Sequence, residues 1–185
     1  MREMLKIVGV LTLVCVLCAF FLSLAAALAE KKTKANAKEK IKTAIVNLAK
    51  EAVIIKEIKI DDEIIYNLLD KFDNSIGYAF SAQGQGYQGK IKLLAVANPS
   101  LGFLAGIEVV ESLETPGLGA KIQESAFKEQ FNKLSILNEI ELLKQEPTKG
   151  SQIKAITGAT VSSRAVVNIL NKRLEKLKEQ ISNLK

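Results

Sequence analysis

The chain contains no histidine and no tryptophan. Without histidine it can build no His-dependent hydrolytic triad, no His-ligated haem and no His-ligated zinc. Its only cysteines, Cys15 and Cys18, lie inside an uncharged N-terminal run. From Glu30 onward, therefore, disulfides, thiolate metal sites and iron–sulfur clusters are excluded. No Leu-Ala-Gly-Cys-like pattern surrounds either cysteine, which argues against lipidation. A Rossmann fingerprint is also missing, so no dinucleotide site is visible. The net charge of +6 is modest, and aromatic residues are 5% of the chain. The lysines are scattered among acids with no aromatic platform, which describes a solvated surface rather than a nucleic-acid interface.

What the chain does have is a long apolar run. Residues 7–29 carry no charge, and about 20 such residues suffice for a helix to cross a hydrocarbon core. Ala27, Leu28 and Ala29 would suit the exit of a cleaved signal, but the run is longer than the 7–15 residues of a signal core. The length favours an uncleaved anchor. Residues 1–6 are then a short tail, 7–29 the transmembrane anchor, 30–42 a Lys/Ala-rich linker and 43–185 one folded domain. Basic residues are fewer before the span (Arg2, Lys6) than after it (Lys31, Lys32, Lys34). A plain positive-inside count therefore argues for a cytoplasmic domain.

Beyond the linker, Ile41, Ala44, Ile45, Leu48 and Ala52 recur at three- and four-residue steps, which predicts an amphipathic helix over 37–52. Residues 53–60 are β-branched and partly alternating, a strand signature. Residues 63–72 fit neither pattern. Strands are predicted at 76–81, 91–97 and 103–110, separated by a glycine-punctuated turn at 82–89 and a turn at 98–102 where Pro99 presets φ and Gly102 frees it. A helix is expected at 122–131. A strand is possible within 134–149, ended by Pro147 and Gly150, and a final helix runs from about Thr160 to 183. In that helix Val166, Leu170, Leu174, Leu177, Ile181 and Leu184 form one apolar face. Short turns rather than helices join consecutive strands. The fold class is therefore α+β: a twisted, mostly antiparallel sheet with packed helices, preceded by one transmembrane helix.

The most informative stretch is Ile156, Thr157, Gly158, Ala159, Thr160, Val161, Ser162 and Ser163. It puts a small, hydroxyl-rich turn directly ahead of an amphipathic helix, where free N–H groups and the helix dipole favour an anion. Arg164 falls in the first turn, and a cation there opposes the dipole by about 0.3–1 kcal/mol unless an anion is bound beside it. On helix physics alone, a solvent-facing Arg with an ordinary Ser or Thr cap explains the same residues.

Four motifs in order weigh against that plainer account. They are Gly77, Tyr78, Ala79 and Phe80; then Gly84, Gly86, Tyr87 and Gly89; then the run from Glu114, Thr115, Pro116, Gly117, Leu118 and Gly119 to Ala120 and Lys121; then Thr157, Gly158, Ala159 and Thr160. Their order and spacing resemble the FMN-binding domain family found in Rnf-type and Nqr-type electron-transfer complexes. The resemblance covers roughly residues 76–170. With the N-terminal span, the chain looks most like the G subunits of Rnf-type complexes. The C subunits of Nqr-type complexes share the design and are usually longer.

The resemblance implies that Thr160 carries FMN through a phosphoester, with Thr157, Gly158, Ala159 and Ser163 around the attachment point. It also implies that the loop of Glu114, Thr115, Gly117, Leu118 and Gly119 lines the isoalloxazine. Gly117 and Gly119 would let backbone approach a flat ring, Leu118 would offer an apolar contact and Thr115 a hydrogen bond. Tyr78, in mid-strand, reads as core. Tyr87 in the glycine turn could face the cofactor, and Lys121 could offset flavin charge or simply be solvated. One position departs from the family: an Asp often stands three residues before the first Thr of the motif, and this chain has Lys154.

By the same resemblance a separate flavin transferase would attach the FMN. The chain would relay electrons among membrane and peripheral subunits rather than act as a stand-alone enzyme. The soluble domain would lie on the extracytoplasmic side of the cytoplasmic membrane, contrary to the plain charge count. Two other classes stay open: a flavinylated electron donor to an extracytoplasmic reductase, and a non-redox anchored binding module in which Thr160 is only a helix cap.

Overall fold

The computed structural model describes residues 1–60 and 63–182. It divides into two units, Met1–Lys40 and Ile41–Lys185. Helix α1 is assigned over Arg2–Leu48, so the polar stretch 30–42 is helical throughout.

In the first unit, the segment Met4–Ala26 has a mean hydropathy of 2.8 and none of it is buried by protein. Thr12 returns its hydroxyl to the Val8 carbonyl at 2.8 Å, so its polar group is satisfied within the helix. A 23-residue helix is roughly 34 Å long at 1.5 Å per residue, enough to cross a hydrocarbon core of about 30 Å.

The second unit is built on a five-stranded antiparallel sheet in simple sequential order: β1 (Ile54–Ile60), β2 (Glu63–Leu69), β3 (Ser75–Gln85), β4 (Lys90–Ala97) and β5 (Leu104–Ser112). Both faces are covered. The end of α1 lays Ile41, Ala44 and Ile45 against Tyr66, Leu68, Ala79, Leu94 and Val96. The other face carries Ile65, Phe80, Leu93 and Ile107. They pack against helix α3 (Thr160–Ser182) and against Ile122, Phe127 and Phe131. Fully burying such a side chain stabilises the fold by about 1.5–3 kcal/mol.

Coverage on both faces explains why β2 is hard to read in the sequence. Ile65 points to one layer and Tyr66 to the other, so adjacent positions are apolar and the two-residue period disappears. Strand β3 also corrects the sequence reading: it continues through Ala82, Gln83, Gly84 and Gln85, which pair with Leu93, Lys92, Ile91 and Lys90. Gly84 is there for close approach, not for a turn. A Cβ on it would sit 2.6 Å from Ile169 Cγ1 of α3. The true turn is 86–89, closed by Gly86 N–H to the Gly89 carbonyl at 2.7 Å. In the 98–102 turn the left-handed residue is Leu101 (φ 53), not Gly102.

The helix expected at 122–131 is three short pieces: a 3-10 turn at Gly119–Gln123, helix α2 at Ser125–Lys128 and a second 3-10 turn at Glu129–Phe131. Glu124, extended at ψ 147, separates the first two. Apolar anchors rather than a continuous helical ladder hold the segment. Phe127 and Phe131 meet edge-on at 5.4 Å.

The stretch 134–149 holds β6 (Glu141–Leu143), which pairs in parallel with a strand not anticipated, β7 (Gln152–Lys154). Gln152 organises the link between them. Its Oε1 accepts from the Thr148 N–H, the Thr148 hydroxyl and the Lys149 N–H at 3.1–3.2 Å, and its Nε2 donates to Glu141 at 2.7 Å. Helix α3 buries Val166, Leu170, Leu174, Leu177 and Ile181 as its periodicity predicts; Leu184 lies outside the described residues. Arg173, also buried, stacks over Phe80 at 5.5 Å, donates to the Ser81 carbonyl and pairs with Glu63 at 3.1 Å. These contacts fix the direction in which the amino end of α3 points.

Candidate functional site

The amino end of α3 is held from two sides by consecutive serines. Ser163 is fully buried and belts the preceding turn. Its hydroxyl accepts from the Ile156 N–H at 3.1 Å and donates to the Ala159 carbonyl at 3.0 Å. The Ala159 N–H bonds the Ile156 carbonyl at 3.0 Å, and Gly158 between them adopts φ 82. That left-handed conformation is what glycine tolerates and other residues resist. Ser163 thus shapes the turn and has no free hydroxyl to offer a ligand. Thr157 and Gly158 are exposed, Ala159 is buried and Thr160, the first residue of α3, is half-buried.

Ser162 faces the other way, donating to Oε2 of Glu114 just beyond β5. Glu114 is 6% exposed, and its second oxygen accepts from the Gln88 N–H at 3.0 Å. The carboxylate therefore touches the 86–89 turn, its own loop and the first turn of α3. Two glycines make room for it. A Cβ on Gly86 would lie 2.3 Å from Oε1; one on Gly119 would lie 2.3 Å from Oε2 and 2.5 Å from Ser162 Oγ. On the side where a Gly119 side chain would stand, the space is filled by Glu114 and Ser162.

The rest of the loop is open. The Thr115 carbonyl accepts from Leu118 and Ala120 at 3.2 and 3.1 Å, folding the segment into a turn with Gly117 at φ 75. Thr115 and Leu118 are exposed, as are Tyr87 and Val161. Tyr78 packs against the core, as its mid-strand position suggests. A groove of about 820 Å³ opens beside Thr157 between the segments 121–134 and 146–157, with Lys121 and Lys154 on its wall. Lys154 pairs with Glu146. Arg164 is exposed.

These residues suit a phosphate monoester or diester. The Thr160, Val161 and Ser162 N–H groups stand ahead of the first acceptor of a 23-residue helix. Among the described residues they have no carbonyl partner. A partial positive charge at that end favours an anion. Open space surrounds Gly117 and Gly158, where a Cβ would meet nothing within 4 Å. Sequence reasoning does not single out Ser162 and Gln88 as site residues, because their roles depend on Glu114, which is distant in the chain.

Residues 86–175 match the family model described as the FMN-binding domain. The matched segment runs from the Gly86 turn through Glu114 to the middle of α3. More particularly, the chain is a homologue of proteins named as the G subunits of ion-translocating oxidoreductase complexes. It is 29% identical to the one from Methanosarcina acetivorans over 97% of both chains. It is 32% identical to the G subunit of the proton-translocating ferredoxin:NAD(+) oxidoreductase complex of Clostridium ljungdahlii, covering 58% of this chain and 56% of that one. Against the Na(+)-translocating counterpart of Acetobacterium woodii it is 34% identical, covering 54% and 48%. The chain thus spans about half the length of the latter two. The crystal structure of Shewanella oneidensis NqrC shares the fold, with a TM-score of 0.55 at 16% identity over 66% of this chain and 65% of that one.

Proposed function

We propose that this protein is a membrane-anchored flavoprotein subunit of an Rnf-type electron transport complex, with FMN esterified to Thr160. The observation that carries the assignment is the Thr160 hydroxyl, which has no hydrogen-bond partner among the described residues and stands at the amino end of a long, firmly packed helix, within a segment that matches the FMN-binding domain model. Attachment takes a flavin transferase with FAD as co-reactant. Thr160 Oγ bonds to the FMN phosphorus and the pyrophosphate P–O bond breaks. AMP leaves, the hydroxyl proton passes to a base, and no electrons move. The bound flavin then supplies electron transfer.

The chain's own residues position and support that group. The first-turn N–H groups of α3 receive the phosphate, Gly158 holds the left-handed corner ahead of Thr160, and Thr115, Gly117 and Leu118 offer an exposed edge to the ring. Residues 7–29 anchor the chain once across the cytoplasmic membrane. Arg2 and Lys6 remain inside, and 43–185 lies on the extracytoplasmic side, reached through 30–42. Other members of the complex are its partners. The Methanosarcina relative, matched over nearly its whole length, favours this reading over an Nqr-type C subunit or a donor to a separate reductase.

The test is co-expression of the full chain with a flavin transferase in an exporting host, followed by flavin fluorescence in a denaturing gel. A fluorescent wild-type band that Thr160→Val abolishes supports the assignment. A dark wild-type band beside a labelled control protein overturns it.

A further inference from the structure

Glu114 is a buried carboxylate whose oxygens are both engaged by groups of this chain, so its place in the site is not simply that of a ligand to the ring. We infer that Glu114 is a positioning residue: acting through Ser162, it sets the first turn of α3 and thereby presents the Thr160 hydroxyl for esterification. The inference rests on the proposed attachment at Thr160.

The argument is geometric. Ser162 is two residues past Thr160 in the same helical turn, and its hydroxyl ends on Glu114 Oε2. Ser163 secures that turn only to residues just ahead of it, Ile156 and Ala159. Glu114 ties it to the sheet end and, through the Gln88 N–H, to the 86–89 turn. Gly86 and Gly119 lack the Cβ atoms that would collide with this carboxylate. The chain therefore gives up side chains at two positions to seat it. A carboxylate beside the first turn also complements the helix dipole.

What the position requires is a hydrogen-bonded tie to Ser162 and Gln88 rather than charge. In Glu114→Gln the amide oxygen can take the Gln88 N–H while the amide nitrogen donates to Ser162 Oγ, which can accept. The turn then stays in place. In Glu114→Ala or Ser162→Ala the tie is cut, and a misplaced reacting group loses rate steeply.

The test follows flavinylation of the full chain by a co-expressed flavin transferase, using intact mass at timed intervals. The thermal midpoint of each variant made without the transferase serves as the folding control. Glu114→Ala and Ser162→Ala should each slow labelling about tenfold or more. Their double variant should be no slower than the slower single, because both cut one link. Glu114→Gln should label within about threefold of wild type, a rescue expected from its hydrogen-bonding inventory. Ser162→Ala, which leaves the buried carboxylate and its Gln88 bond in place, keeps the test valid should Glu114→Ala fail to fold. Wild-type rates in folded Ser162→Ala overturn the inference. Multiplying effects in the double variant, or a Glu114→Gln as slow as Glu114→Ala, overturn it too. A wild-type chain left dark beside a labelled control overturns the attachment at Thr160 itself, which the wild-type lane alone reveals.

Discussion

Ser162 donates its hydroxyl hydrogen to Glu114 across 48 positions of sequence, joining the end of β5 to the first turn of α3. The positioning role inferred for Glu114 depends on that junction. It brings the loop after β5 and the turn before α3 to one place, and it is possible only because residues 86 and 119 are glycine.

The two loop glycines should therefore respond differently to alanine. At Gly119 the added Cβ would meet Glu114 and Ser162. Separating them should cost about 1–3 kcal/mol and slow flavin attachment. At Gly117 there is open space, and only the φ of 75 resists, a cost of about 1–2 kcal/mol. Thermal unfolding and labelling rate of both variants check this. A Gly119→Ala protein labelled as fast as wild type would contradict it.

Gln152 is the polar centre of the β6–β7 pair, with four hydrogen bonds from one buried amide. Gln152→Ala removes these hydrogen bonds, and because Thr148 and Lys149 are exposed their N–H groups can turn to water, so the second unit should be destabilised by about 0.5–1.5 kcal/mol. Chemical denaturation measures it. Because β7 leads directly into the Thr157 turn, hydrogen exchange at 155–159 should also rise.

Stability should fall in acid partly through Glu63. Burial raises its pKa, but the hydrogen bond from Lys176, Arg173 nearby and Gln180 outweigh burial and hold it below the ordinary glutamate value. A lowered folded pKa means the contribution is present above the unfolded pKa and lost as pH falls through the folded one. Glu63→Gln should thus lower the thermal midpoint at neutral pH, and the gap to wild type should close below about pH 4. The effect is small because the side chain is part-exposed. A gap that persists unchanged in acid would contradict the assignment.

Residues 7–26 expose a surface with no charged side chain. Full-length protein should fractionate with membranes and need detergent for release. A chain starting at Glu30 should partition into the soluble fraction.

The parts of this fold legible in the sequence are those with a clean period. The apolar face of α3 and the β3–β5 meander follow from side-chain spacing. Strand β2 hides because consecutive residues Ile65 and Tyr66 serve opposite layers. The extension of β3 hides because Gly84 reads as a turn residue until Ile169 of α3 is seen against it. The segment 122–131 reads as helical in the sequence, yet burial of Ile122, Phe127 and Phe131 does not require a continuous helix. At the site, the hydroxyl-rich turn and its following helix are visible in the sequence. The tie from Ser162 to Glu114 is not, because no local rule links residues so distant in the chain.

The central claim, a flavin esterified to Thr160, is tested most directly by intact mass and peptide mapping of the full chain purified after co-expression with a flavin transferase. The account predicts added mass equal to one FMN less one water, on a peptide containing Thr160, and none in Thr160→Val. Wild-type protein of unmodified mass beside a modified control, or the same added mass in Thr160→Val, would contradict it.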